Sequence, residues 1–406
     1  MHPKELFIKD FTYHLPDERI AKYPLEDRAA SKLLVYNQGN TGHDIYKNLP
    51  NHLPAACHLV FNNSRVIEAR LLFSKPTGGR IEVFALEPEA GMDITQAMNT
   101  TGSIVYQCLV GGAAKWKAGL VLEKIMDTPD GPVTLRAENL GKKADSYLIK
   151  LSWNPPQMPF AYILHHAGQI PIPPYLQRAT EAGDAVSYQT VYAQANGSVA
   201  APTAGLHFTT GLLQQLGQQG IAQSYLTLHV GAGTFMPVKS NRIAGHDMHA
   251  EYIEADRALL QRLMAHPHII PVGTTSMRTL ESLYWMGVKA YHRPQISLAE
   301  IEMQQWEVYD TLLPQKLPAT DALQALDGWM VQQGLDKLII KTQILIAPGY
   351  YFGLCKGLIT NFHQPESTLL LLVAALIGQD WHKVYAYALA NDFRFLSYGD
   401  GSLLLP

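Results

Sequence analysis

Between Ala69 and Leu151 the hydrophobic pattern of this chain changes period. Ala69–Leu72, Arg80–Phe84, Ile104–Leu109, Val133–Arg136 and Ser146–Ile149 are short alternating segments, punctuated by Gly78-Gly79, Gly111-Gly112, Asp130-Gly131-Pro132 and Gly141. Alternation over a few residues turns one strand face to a core, and glycine and proline at the joints favour tight returns. A small antiparallel β unit, closed as a barrel, is the expected outcome. On either side the texture is different. His58–Asn62, Ile221–Val230, Ile269–Val272, Lys337–Ile346 and Leu358–Asn361 read as strands. Thr210–Gln219, Asp256–Met264, Ser276–Met286, Ser367–Ile377 and Asp380–Asn391 read as helices. Such alternation predicts a sheet covered by helices on both faces. The expected organisation is an α/β catalytic domain made of residues 1–68 and 152–406, with residues 69–151 inserted.

A second constraint comes from Tyr188–Thr209, a long run poor in charge and dense in small residues. Small side chains let the backbone approach a ligand or another backbone closely. Few groups in it are suited to chemistry: Ser198, Thr203, His207 and the hydroxyls of Tyr188 and Tyr192. Thr209 or Thr210 reads as the N-cap of the next helix. Two readings fit: a loop that holds an anion at a helix N-terminus, or a tight structural crossover.

Further polar clusters fall just after expected strands, where open α/β sheets place ligands. In Leu228–Phe235, Gly231 and Gly233 resemble half a dinucleotide fingerprint, but the third glycine is missing and Pro237 intervenes. A glycine loop with His229 and Thr234 is what remains. In Val272–Glu281, Ser276 sits where a strand gives way to a helix. Arg278 and Glu281, three apart, read either as a surface pair or as a carboxylate clamp with its orienting acid. Asn361 and His363 follow the strand at 358–361, and Arg394 and Asp400 bracket an aromatic segment near the end. Asn62-Asn63-Ser64-Arg65 reads as a turn, its side chains either bonding the local backbone or offering polar groups to a ligand.

Charge and composition exclude several classes. A net charge of −3 over 406 residues gives no global attraction to nucleic acid, so any RNA contact must use a local patch. The cysteines, 3 in number, form no paired motif. The 16 histidines include His246-x-x-His249, but none lies in a metalloprotease-type spacing, so no metal site is expected. The N-terminus lacks an apolar signal region and no apolar run approaches the ~20 residues needed to span a bilayer. A soluble, cytoplasmic protein with no membrane partner is expected.

The polar clusters, taken in order, resemble the S-adenosylmethionine:tRNA ribosyltransferase-isomerase family of queuosine biosynthesis. The resemblance runs through Tyr13 with Leu15-Pro16, Asn62–Val66, Ile170–Tyr175, all of Tyr188–Thr209, Thr227–Phe235, Val272–Ser282, Leu358–Thr368 and Arg394–Asp400. It implies an α/β/α sandwich carrying a six-stranded antiparallel β-barrel. It also implies that S-adenosylmethionine is consumed as a ribosyl donor, with no separate cofactor. The acceptor would be 7-aminomethyl-7-deazaguanine at the tRNA wobble position, giving epoxyqueuosine, adenine and methionine. Such chemistry needs a base for the proton beside the sulfonium, an acid for departing adenine and a clamp for the methionine carboxylate. His207 and His229 are the expected proton carriers, with His363 a further acid, Arg278 the clamp and Glu281 its orienting partner. Thr203, Thr234, Ser276 and Asn361 are expected to bond ribose and adenine, and Ser198, Gly233, Arg394 and Asp400 complete the binding set. A monomer is expected. Two other readings remain open: a paralogue using the same donor on another amine, and a catalytically idle RNA-binding relative, against which the retained polar groups argue.

Overall fold

The computed structural model of the chain describes residues 2–75, 77–89, 92–117, 119–231 and 240–406. β1 (Lys32–Asn37) and β2 (Asn40–Ile45) form a hairpin whose two loop residues, Gln38 and Gly39, both have positive φ (46° and 86°). That twist suits a two-residue hairpin loop. β3 (His58–Asn62) is buried at every position, as a central strand should be. β4 (Ser64–Val66) follows at once, so the expected turn contains a short strand.

The inserted region supplies β5 (Arg70–Ser74), β6 (Arg80–Pro88), β7 (Ser103–Gly111), β8 (Leu122–Thr128), β9 (Gly131–Lys143) and β10 (Ser146–Asn154). With the two-residue β11 (Gly168–Gln169) they make a seven-stranded antiparallel sheet in the order β11-β5-β6-β7-β10-β9-β8. The sheet curls until β5 approaches β8. Leu71, Phe73, Ile81, Val83, Leu135 and Leu151 fill its concave side, sealed by the helix Phe160–Ala167.

The rest of the chain contributes β12 (Ala195–Ser198), β13 (Ala222–Leu228), β14 (Glu251–Asp256), β15 (Ile269–Val272), β16 (Lys337–Thr342), β17 (Leu358–Asn361) and β18 (Gly401–Leu405). β12 pairs only with β4, in parallel. Nine strands form the main sheet in the order β16-β14-β13-β3-β15-β17-β18-β1-β2, with β13, β3, β15 and β17 mutually parallel at its centre. Successive strand residues face opposite sides. Leu59 and Phe61 accordingly join a core under the helix Thr210–Gln218, whereas Val60 joins the core under the helices Thr274–His292 and Thr368–Ile377. Helices thus cover both faces. The chain is mixed α/β with a second, curled antiparallel sheet.

Several elements depart from expectation, among them β14 and the helices Phe160–Ala167 and Ala319–Gln332, which the sequence pattern does not announce. The strand expected at 337–346 stops at Thr342, and the helix expected at 276–286 runs from Thr274 to His292. The apolar tail Gly401–Leu405 is a fully buried strand between β17 and β1. Gly401 is required there because a Cβ would run into the Tyr46 hydroxyl.

Candidate active site

A cavity of about 460 Å³ opens at the carboxyl ends of β13, β15 and β17. That edge is where an open α/β sheet leaves room for a ligand, because the connections there diverge to opposite faces. Ala200–Ala204 of the small-residue run line one wall, Gly273–Thr275 the floor, and Asn361–Thr368 the far side. The small residues serve close packing as well. A Cβ on Gly205 would collide with the Tyr192 hydroxyl, and Gly197 (φ +135°) packs against Ile94 and His229. Both readings of the run therefore meet in one segment: a tight crossover whose bend lines a cavity.

Arg278, buried in the second turn of the helix Thr274–His292, faces this cavity. Its Nη1 donates to Glu251 Oε2 and its Nε to the Ile344 carbonyl at 3.3 Å. Its Nη2 is buried and has no hydrogen-bond partner among the described residues. An unsatisfied buried donor costs roughly 1–3 kcal/mol, so the arrangement suits an incoming anion. Glu251, the first residue of β14, also accepts from the Gly231 N–H at 3.2 Å and lines the cavity. Sequence reasoning missed it, since one acidic residue opening a strand carries no signal of its own.

Glu281 does not orient Arg278, which corrects the expected pairing. Three helical positions rotate a side chain by about 60° away, and on a helix buried nearly all round that sends it to a different neighbour. Glu281 Oε1 accepts from the Leu354 and Cys355 N–H groups (3.1 and 2.9 Å), and Oε2 from the Gly353 N–H (2.9 Å) and the Tyr350 hydroxyl (3.3 Å). It holds the loop before β17 and does not line the cavity.

The three histidine candidates separate. His363 lines the cavity, with Nε2 3.0 Å from Thr360 Oγ1, and burial pushes its imidazole down to about 3. A resting acid would be protonated, so His363 is present in the neutral form at neutral pH. His207 lies behind the wall, stacked on Tyr46 with ring centroids 4.2 Å apart, its Nε2 3.0 Å from Asn361 Oδ1. It does not reach the cavity; Asn361 does, and its Nδ2 is fixed by the Leu396 and Ser397 carbonyls. His207 thus touches the cavity lining only through Asn361. His229 does not line the cavity as Val230 does; its Nε2 lies 3.1 Å from Glu254, and its Nδ1 has no partner among the described residues.

Burial also pushes the His207 imidazole down to about 4. A histidine neutral in the fold and near 6.5 when unfolded takes up a proton on unfolding, so stability is full above pH 6.5 and falls toward pH 4. The shift corresponds to about 3 kcal/mol. In denaturant titrations at pH 7 and pH 4, His207→Gln is expected to lose less stability than wild type by roughly that amount. An identical pH dependence would remove His207 as the cause.

Of the remaining expected residues, Thr203 and Asn361 line the cavity. Ser276 donates to the Val272 carbonyl at the end of β15, and Ser198 bridges the Ala200 carbonyl and the Val230 N–H. Arg394 pairs with Asp400, which also accepts the Lys32 N–H, so both fix the C-terminal strand and do not line the cavity. Gly233 and Thr234 lie outside the described residues. Asn62 clamps β13 through the Leu228 N–H and carbonyl, both at 3.0 Å. Among the described residues no group of three or more His, Cys, Asp or Glu side chains could hold a metal. Tyr175, hydrogen-bonded to Ser397, joins the lining, as does Asp145 from the β9–β10 hairpin.

An open α/β sheet with an anion-seeking arginine at its carboxyl edge, overhung by an antiparallel insert, defines a class of polar-ligand enzyme. Comparison narrows it. Residues 8–404 match the family model described as queuosine biosynthesis protein. The chain is 35% identical over 407 residues to S-adenosylmethionine:tRNA ribosyltransferase-isomerase of Pelobacter propionicus, covering 98% of this chain and 100% of the relative. The enzymes of the same name from Legionella pneumophila (strain Lens) and Aquifex aeolicus are 36% and 34% identical, each over 98% of this chain and 99% of the relative. A crystal structure of S-adenosylmethionine tRNA ribosyltransferase from Thermotoga maritima overlaps with a TM-score of 0.46 at 26% identity, over 98% of this chain and 100% of that one. The chain belongs to the queuosine biosynthesis protein family.

Proposed function

We propose that this chain transfers and isomerises the ribosyl group of S-adenosylmethionine onto 7-aminomethyl-7-deazaguanine at the tRNA wobble position, releasing adenine and methionine. The observation that carries this reading is 35% identity over nearly the full length to an enzyme named for that reaction, joined to a buried arginine facing the cavity at the sheet's carboxyl edge. The roles follow from the chemistry. Arg278 Nη2 receives the methionine carboxylate. Asn361 and Thr203 bond ribose or adenine. His363 lines the cavity in the neutral form, placed to hydrogen-bond ribose or the departing adenine. S-adenosylmethionine is spent as substrate and no resident cofactor takes part.

In this reading residues 69–151 are the inserted barrel domain of the family, six-stranded apart from β11, and the remainder is its α/β/α sandwich. No helix among the described residues is long and apolar enough to cross a membrane; the proposed reaction on tRNA is that of a cytoplasmic enzyme, taken as a monomer. Adenine release from S-adenosylmethionine tests the proposal, measured with and without tRNA carrying the aminomethyl base. Release that requires this tRNA supports it. Release with another amine acceptor in place of tRNA would select the paralogue reading, and no release with either would select the idle relative.

A further inference from the structure

We infer that one rim of the curled antiparallel sheet, running from a basic groove to the β9–β10 hairpin, holds the RNA phosphate backbone while a base enters the cavity. The proposal rests on the tRNA acceptor of the preceding section and adds where that RNA lies. The groove is lined by Arg70, Arg80, Lys115 and Arg178, with Glu82 its single acid. Glu82 is taken up by Arg70 (Nε–Oε1 2.6 Å), and Arg178 is bound to Asp184. Arg80 and Lys115 are exposed and have no ion-pair partner among the described residues. Against a chain of net charge −3, this is a local concentration of positive charge.

Strand register places the hairpin on the same rim. Arg80 begins β6, whose Glu82 pairs with Gly111 at the end of β7. Cys108 of β7 pairs with Tyr147 near the start of β10, and Ser146 pairs with Lys143 of β9. At 4.7–4.9 Å per strand, the three steps from β6 to β9 cover roughly 14 Å. The hairpin carries Lys142 and Lys143, both exposed, and its Asp145 lines the main cavity. The groove is tied to the cavity by a second route. Tyr175 lines the cavity and Arg178 the groove, and three residues reach at most about 11 Å. Basic groups thus follow the rim as far as the hairpin whose Asp145 reaches the cavity, a layout suited to a nucleic-acid backbone, which binds through phosphate neutralisation and displaced counterions.

Binding of an unmodified tRNA transcript, measured by fluorescence anisotropy at several salt concentrations, tests this. Each charged position that contacts a phosphate contributes about one unit to the salt slope. Arg80→Glu/Lys115→Glu and Lys142→Glu/Lys143→Glu should each weaken binding by about tenfold or more at low salt and flatten the slope by about 1–2. S-adenosylmethionine affinity, read by calorimetry on the same proteins, should stay at the wild-type value, which also reports that they are folded. Wild-type affinity and slope in both pairs would overturn the rim assignment while leaving the proposed reaction standing. A wild-type protein that binds neither this transcript nor tRNA carrying the aminomethyl base would overturn both.

Discussion

Glu281→Ala should cost this protein more stability than any other single change in its polar framework, roughly 3–9 kcal/mol. The carboxylate lies wholly inside the fold and accepts three backbone N–H groups from consecutive residues, Gly353 to Cys355. Removing it orphans all three, at roughly 1–3 kcal/mol each. Domains are stable by only about 5–15 kcal/mol, so the variant sits at the edge of folding. Glu281→Gln keeps one oxygen for Leu354 and Cys355 but sets an amide NH₂ against the Gly353 N–H, so an intermediate loss is expected. The two variants also separate charge from geometry. Burial pushes the Glu281 carboxyl above its ordinary value, outweighing the N–H groups that pull it down. Its share of stability is therefore full at low pH and declines as pH rises through the folded value; the glutamine variant should lack that decline. Denaturant titrations of the three proteins decide the matter. An alanine variant with a wild-type midpoint would show that water replaces the carboxylate.

Glu281 also marks where sequence reasoning stops. The helix, its place after β15 and the polar residues on it were legible, because helix periodicity and strand-end position are local properties. Which face of a helix buried nearly all round meets which neighbour is not local. It depended on β14 bringing Glu251 beside Arg278 and on the loop at 353–355 curling under Glu281. The same limit explains the histidines. His207 sat rightly in the segment that forms the cavity wall, yet whether its ring faced in or out depended on Tyr46, more than 150 positions earlier. β18 was hidden for another reason: Gly-Ser-Leu-Leu-Leu at a chain end lacks alternation, since a strand buried on both faces needs none. The curled sheet was the easiest part to read, because its strands have one wet face and its turns are made locally.

Arg278→Ala should weaken S-adenosylmethionine binding by about 2–5 kcal/mol, the range for losing one partner of a buried charge pair. The proposed clamp uses Nη2, the Arg278 guanidinium nitrogen that has no partner among the described residues. Lysine at this position should recover only part of the loss, because a point charge cannot serve Glu251, the Ile344 carbonyl and a ligand carboxylate together. Truncation has a second consequence. Glu251 would be left charged, buried and unpaired, which costs about 3–5 kcal/mol of stability. A binding defect could then be no more than a folding defect. The double variant Arg278→Ala/Glu251→Gln separates them, since neutralising Glu251 should return most of the lost stability. If Arg278 grips the donor carboxylate, calorimetry on that stable double variant should still show weak binding. The decarboxylated donor analogue should bind it about as well as it binds wild type. Wild-type affinity for S-adenosylmethionine in the folded double variant would reduce Arg278 to a strut between β14 and the helix that carries it.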